Sequence, residues 1–142
     1  MGLLAGDLAE ARILDLFAGT GALGLEALSR GAASCDFVEN GPSALHALKA
    51  NVAALRVRGR VRVFDRDAIP FVQRLGHAAY DIAFADPPYG SRKLDRVVER
   101  WTAVAFARLL CLEHDSDHAL PLKGRSQRLD DTVVTVLRSG PV

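Results

Sequence analysis

Asp15-Leu16-Phe17-Ala18-Gly19-Thr20-Gly21-Ala22-Leu23-Gly24 is the stretch on which the fold turns. Ahead of it, Arg12-Ile13-Leu14-Asp15-Leu16-Phe17 is short and largely apolar, the pattern of a buried strand. Behind it, Ala22 to Arg30 carries Leu23, Ala27 and Leu28 at helical spacing, with Gly31 where a C-terminal cap belongs. The glycines fit G-x-G-x-x-G, a spacing that permits a tight strand-to-helix turn and close backbone approach to a ligand. Alone this is a weak signal.

The rest of the chain repeats the same unit. Ser34 to Glu39 reads as a second strand. Asn40-Gly41-Pro42 then reads as a helix start, with Asn40 as cap and Pro42 in the first turn of a helix to about Leu55. Val61 to Asp65 is a third strand, Ala68 to Leu75 a short helix and Tyr80 to Ala85 a fourth strand. Arg92 to Thr102 reads as helix and Ala107 to Glu113 as a fifth strand. Two more strand candidates, about Ala119 to Leu129 and Thr132 to Arg138, flank Asp130-Asp131 as a hairpin. Alternating strands and helices with right-handed crossovers imply an α/β, doubly wound, mostly parallel sheet. The hairpin adds one antiparallel strand near the C-terminus.

At 142 residues the chain is expected to be a single domain, 1–142. No apolar run approaches the ~18 residues that span a bilayer, and the N-terminal stretch lacks the basic cluster of a secretory signal. A cytoplasmic protein with no membrane association is expected. Cys35 and Cys111 are far apart without C-x-x-C spacing, so neither a disulfide nor a metal site is expected, and each reads as a small buried thiol. The net charge of +1 is not the footprint of an autonomous nucleic-acid binder. Arg56, Arg58, Arg60, Arg62 and Arg66 nevertheless fall within eleven residues. A solvated sheet edge and a phosphate-contacting patch explain them equally well.

Charge around the glycine turn narrows the ligand. A Rossmann dinucleotide site brings backbone amides to a pyrophosphate. Here Asp15 interrupts the strand four residues before Gly19. A carboxylate repels a pyrophosphate and attracts an ammonium group. S-adenosyl-L-methionine carries an α-ammonium and a sulfonium and no phosphate, so Asp15 favours it. Glu39, ending the second strand, is placed to accept ribose hydroxyls. Asp67 follows the third strand and is placed to accept from the adenine amino group, with the Ala68 amide nearby. Any one of these acids could equally be a helix cap or loop charge. Three at successive strand ends point to one crevice.

Asp86-Pro87-Pro88-Tyr89 leaves the fourth strand toward that crevice. Two prolines fix the backbone and leave carbonyls without competing donors. Asp86 and the Pro87 carbonyl suit the two N–H bonds of a planar amine, and Tyr89 suits stacking on its ring. Such an amine is a poor nucleophile, so positioning carries the catalysis. The sulfonium charge disperses during direct displacement, and an apolar wall that includes Phe17 favours this. A base inside a helix cannot reach such a pocket, so the substrate is single-stranded or flipped.

The run Asp15-Leu16-Phe17-Ala18-Gly19-Thr20-Gly21-Ala22-Leu23-Gly24-Leu25-Glu26-Ala27 is far more specific than the glycine pattern. With Val38-Glu39, Phe84-Ala85-Asp86-Pro87-Pro88-Tyr89, Leu112-Glu113-His114-Asp115-Ser116 and Asp131-Thr132, it resembles the bacterial small-subunit (16S) ribosomal RNA guanine-N(2) methyltransferases. The resemblance runs in order from about residue 10 to residue 138. It implies a Rossmann-like, seven-stranded methyltransferase fold, S-adenosylmethionine as cofactor, and methylation of one guanine in 16S rRNA of a partly assembled 30S subunit. It carries cofactor contacts onto Asp15, Gly19, Gly21, Glu39 and Asp67, and target-amine contacts onto Asp86, Pro87 and Tyr89. Members of that family carry a further basic N-terminal segment with Arg-rich and Arg-Pro-Thr motifs. This sequence starts almost at its first strand, so a form lacking that RNA-holding arm, acting as a monomer, is expected.

Two rival readings keep the fold. A DNA adenine or protein glutamine methyltransferase would share the cofactor, although the glutamine enzymes typically have Asn in place of Asp86. A cofactor-binding remnant without transferase activity would bind the cofactor and methylate nothing. His46 and His77 are expected at the surface, Trp101 in the core, and His114 is a weaker candidate for the crevice.

Overall fold

The computed structural model describes residues 2–87, 92–115, 118, 120, 122, 124–129 and 132–139. Seven strands form one sheet: β1 (Arg12–Leu16), β2 (Ser34–Val38), β3 (Val61–Phe64), β4 (Tyr80–Ala85), β5 (Ala107–Asp115), β6 (Arg125–Leu129) and β7 (Thr132–Arg138). Their order is β3-β2-β1-β4-β5-β7-β6. β1 to β5 are mutually parallel where they pair, and β7 runs antiparallel to both β5 and β6. Among the described residues, four α-helices connect the strands: α1 (Ala22–Ser29), α2 (Pro42–Ala54), α3 (Ala68–Gln73) and α4 (Lys93–Val104). The expected doubly wound α/β sheet, with a single antiparallel strand, is the fold observed.

Alternation along each strand sorts side chains between two cores. Ile13, Cys35, Phe37, Ile82, Phe84 and Leu109 pack with Leu25, Leu28, Leu48 and Val52 of α1 and α2. Leu14, Leu16, Val38, Ala83 and Leu110 pack with Val72 of α3 and Leu94, Val98 and Trp101 of α4. β1 and β4 are buried on both faces, which is why they read as near-continuous apolar runs. Trp101 is buried and donates its indole N–H to the Ala107 carbonyl at 2.8 Å.

Most element ends departed from expectation by one or two residues, where caps and ladders outweighed local pattern, and the start of β6 by six. α2 is capped by Gly41, not Asn40, because the Glu39 carboxylate already takes the Asn40 and Gly41 amides. β5 runs to Asp115 because β7 supplies partners as far as Thr132. β6 covers only the last part of the expected Ala119 to Leu129 strand, and Asp130-Asp131 lies outside the described residues.

The arginine cluster resolves into separate tasks. Arg62 lies opposite Asp36 in the β2–β3 ladder, and its guanidinium donates to both carboxylate oxygens at 2.9 and 2.6 Å. Tyr80 donates its hydroxyl to the same buried carboxylate at 2.6 Å. Arg60 donates to the Leu28 and Ala32 carbonyls at and just beyond the end of α1, a cationic partner for the negative end of the helix. These two residues hold the β3 edge in place.

Candidate functional site

β1, β2 and β4 end level with one another, Leu16 pairing with both Val38 and Ala85. The chain winds one way from β1 to β3 and the other way from β4 outward. At such a switch point the connecting loops part and leave a crevice. A cavity of about 340 Å³ lies there, bounded by Phe17, Glu39, Asp67, Ala68, Asp86 and Lys93, with Val38, Asn40, Arg66 and Pro87.

The glycine turn forms one wall. Gly19 (φ 59°) and Gly21 (φ 87°) have left-handed backbones, the region glycine enters without penalty. A Cβ on Gly21 would strike Leu48, and one on Gly24 would strike the Phe37 ring and come within 2.6 Å of Cys35 Sγ. This lets α1 seat directly on β2. Phe17 is also left-handed at φ 56°, a strained conformation of the kind that gathers at functional sites. Its ring faces Lys93, whose Nζ lies 5.9 Å from the ring centroid.

The three acids take different places. Glu39 Oε1 accepts the Gly19 amide at 2.7 Å, and Oε2 accepts those of Asn40 and Gly41 at 3.1 and 2.8 Å. It therefore ties the glycine turn to the start of α2 while lining the cavity. Asp67 caps α3, accepting from the Ile69 amide at 3.4 Å, and also lines the cavity. Asp15 is only 1% exposed, beneath the turn, where Oδ2 accepts the Gly24 amide at 3.0 Å. Two amides that a pyrophosphate would seek, those of Gly19 and Gly24, are thus already bonded to side-chain carboxyl oxygens of Glu39 and Asp15.

Burial pushes the Asp15 carboxyl up to about 8, with Asp86 and Glu39 adding to the rise and the Gly24 amide opposing it. The folded state then keeps a proton that the unfolded chain loses from about pH 4 upward. This carboxyl should therefore cost stability increasingly between about pH 4 and pH 8. Asp15→Asn keeps an acceptor for Gly24 and cannot ionise. Thermal unfolding of the ligand-free proteins should show the variant gaining on wild type across that interval. A pH-independent difference would contradict the burial of a titrating group here.

Asp86 directly follows β4 and remains exposed to solvent at the cavity mouth, with Pro87 beside it. Partial desolvation and the neighbouring negative charge of Glu113 push its carboxyl up to about 6. Tyr89 lies outside the described residues. His114 bonds Thr135 Oγ1 at 2.8 Å within the β5–β7 ladder and is not among the residues lining this cavity. His46 and His77 are exposed. Sequence reasoning did not single out Lys93, and it named Arg66 only within the arginine cluster and Glu113 only within a family motif. A basic residue opening the helix after β4 and an acid near the C-terminal end of β5 were the available signals. Among the described residues, no group of three or more His, Cys, Asp or Glu side chains is placed to hold a metal ion, and no helix is long and apolar enough to cross a membrane.

A family model described as "conserved hypothetical protein 95" matches residues 2–131. Ribosomal RNA small subunit methyltransferase D of Escherichia coli (strain K12) is 35% identical over 123 residues, covering 83% of this chain and 60% of its own length. The chain thus spans about three fifths of the length of the curated relatives it matches. Among solved structures, the Escherichia coli protein yhhF, provisionally described as a methyltransferase, superposes with a TM-score of 0.82. It is 29% identical, over 95% of this chain and 78% of that one. A SAM-dependent methyltransferase from Agrobacterium tumefaciens, 25% identical, superposes with a TM-score of 0.63 over 83% of this chain and 44% of its own.

Proposed function

The chain belongs to the family described as conserved hypothetical protein 95, and from that membership we propose that it is an S-adenosylmethionine-dependent methyltransferase acting on the exocyclic N2 amine of a guanine in 16S ribosomal RNA. The observation that carries this reading is the meeting of two features at one switch point. The glycine turn has its Gly19 and Gly24 amides committed to side-chain carboxyl oxygens, and Asp86-Pro87 stands across the same cavity. The first suits a cationic, phosphate-free nucleoside, and the second suits an aromatic amine. The printed names of the E. coli and A. tumefaciens proteins support a ribosomal RNA acceptor and this cofactor, respectively.

The residues present fit the cofactor. Glu39 retains lone pairs for ribose hydroxyls, Asp67 and the Ala68 amide offer an acceptor and a donor to the adenine edge, and Phe17 supplies an apolar wall. When bound, the cofactor supplies an electrophilic methyl group on a sulfonium. Asp86 and the Pro87 carbonyl accept the two N–H bonds of the target amine and hold its nitrogen toward that methyl. Transfer of the methyl from sulfur to nitrogen would leave the amine with one proton too many, and the Asp86 carboxylate would accept it.

This role needs Asp86 ionised. Its carboxyl is pushed up to about 6, so transfer should fall as pH drops through about 6 and level off above it; a general acid would give the opposite slope. The test is methyl transfer from labelled cofactor to 30S particles, duplex DNA and protein between pH 5 and pH 9. Label confined to the RNA of 30S particles, with the stated slope, supports the proposal. Label only in DNA or protein, or none anywhere, overturns it.

A further inference from the structure

The β4–β5 register pairs Ala85 with Leu112, which makes Asp86 and Glu113 the next residues across the ladder. Alternation puts both on the face shared by Phe84 and Cys111, opposite Ala85 and Leu112. Glu113 is close enough to Asp86 to help push its carboxyl up. Side by side, the two carboxyl groups offer acceptor oxygens from both residues to one edge of a base. Glu113 also borders a second, mostly apolar cavity of about 170 Å³, walled by Leu4, Leu23, Phe84, Cys111 and Val134. This cavity adjoins the end of β4. Among the described residues that line it, Glu113 is the one carboxylate and Gln127 the other polar side chain apart from Cys111.

Resting on the function proposed above, we infer that Glu113 is the residue that selects guanine, accepting the ring N1–H while Asp86 accepts the exocyclic amine. Guanine presents three donors in a row on this edge, one on N1 and two on N2. Adenine presents its amine beside a bare N1 lone pair, which would face the Glu113 carboxylate and be repelled. A buried acceptor left without its donor costs more than the bond itself contributes, so one misplaced lone pair is enough to discriminate strongly. Among the described residues, Glu39, Asp67, Arg66 and Lys93 are the other charged groups lining the cavity that Asp86 borders, and Asp15 lies beneath the turn. None of these lines the second cavity, so N1 recognition falls to Glu113.

2-Aminopurine tests this directly, because it keeps the exocyclic amine and replaces N1–H with a lone pair. Binding of 2-aminopurine riboside 5′-monophosphate to protein saturated with S-adenosylhomocysteine can be followed by its fluorescence, with guanosine 5′-monophosphate as competitor. Wild type should favour the guanosine nucleotide by about tenfold or more. Glu113→Gln, whose amide can donate to a bare N1, should lose most of that preference while binding S-adenosylhomocysteine as wild type does. Glu113→Ala should weaken guanosine nucleotide binding without favouring the analogue. Equal affinity of wild type for the two nucleotides, including no measurable binding of either, overturns the inference, as does an unchanged preference in Glu113→Gln. Methyl transfer to 30S particles by wild type, run in parallel, keeps a failure of the proposed function separate from a failure of this assignment.

Discussion

Asp86→Ala is expected to lower methyl transfer by about a hundred- to a thousand-fold at saturating cofactor while leaving S-adenosylhomocysteine affinity as in wild type. The magnitude follows from what the side chain supplies. An aromatic amine has its lone pair delocalised into the ring, and only bonds that hold both hydrogens bring the nitrogen into line with an electrophile. Asp86 sits directly after β4, whose Ala85 is 1% exposed and locked between β1 and β5. Its position is therefore set by the sheet rather than by a free loop. Pro87 would still offer a carbonyl, so some transfer should persist in the variant. Asp86 is outside the bonds that shape the glycine turn, which is why cofactor affinity should survive. Near-normal turnover, or a parallel collapse of cofactor affinity, would contradict the assigned role. Single-turnover transfer and calorimetry measure the two quantities separately.

Glu39→Ala should act in the opposite way, raising the cofactor dissociation constant by roughly 10- to 100-fold, the loss expected for one or two charge-assisted hydrogen bonds. Turnover at saturating cofactor should change little. The residue accepts three backbone amides from two loops, so its removal loosens the wall of the cavity as well as deleting an acceptor for the ribose. Glu39→Gln keeps one carbonyl acceptor and should fall between wild type and Ala. Titration with S-adenosylhomocysteine measures this, and an affinity unchanged in the Ala variant would remove Glu39 from the cofactor site.

The fold was legible because its strands are short apolar runs punctuated by glycine, proline and asparagine, and because β1 and β4 are covered on both faces. Gly19, Gly21 and Asp86 could be placed for the same reason: each directly follows, or nearly follows, such a run. What the sequence concealed depended on register. Arg62 lies opposite Asp36 only once β3 is aligned on β2, so a charge cluster looked equally like a bare edge or a phosphate patch. Glu113 meets Asp86 only once β5 is aligned on β4. Asp15 shares a face with Ile13, and the period-two pattern held that information. The acid was read as a charge facing the ligand, whereas the structure places it under the turn with the Gly24 amide. Its effect on a bound cation passes through the loop it shapes.

Calorimetric titration of the ligand-free protein with S-adenosylhomocysteine and, separately, with NAD tests the central claim most directly, because it asks which charge the carboxylate-bonded glycine turn accepts. The account predicts saturable binding of S-adenosylhomocysteine and no heat from NAD. Saturable binding of NAD, with none of S-adenosylhomocysteine, would contradict it.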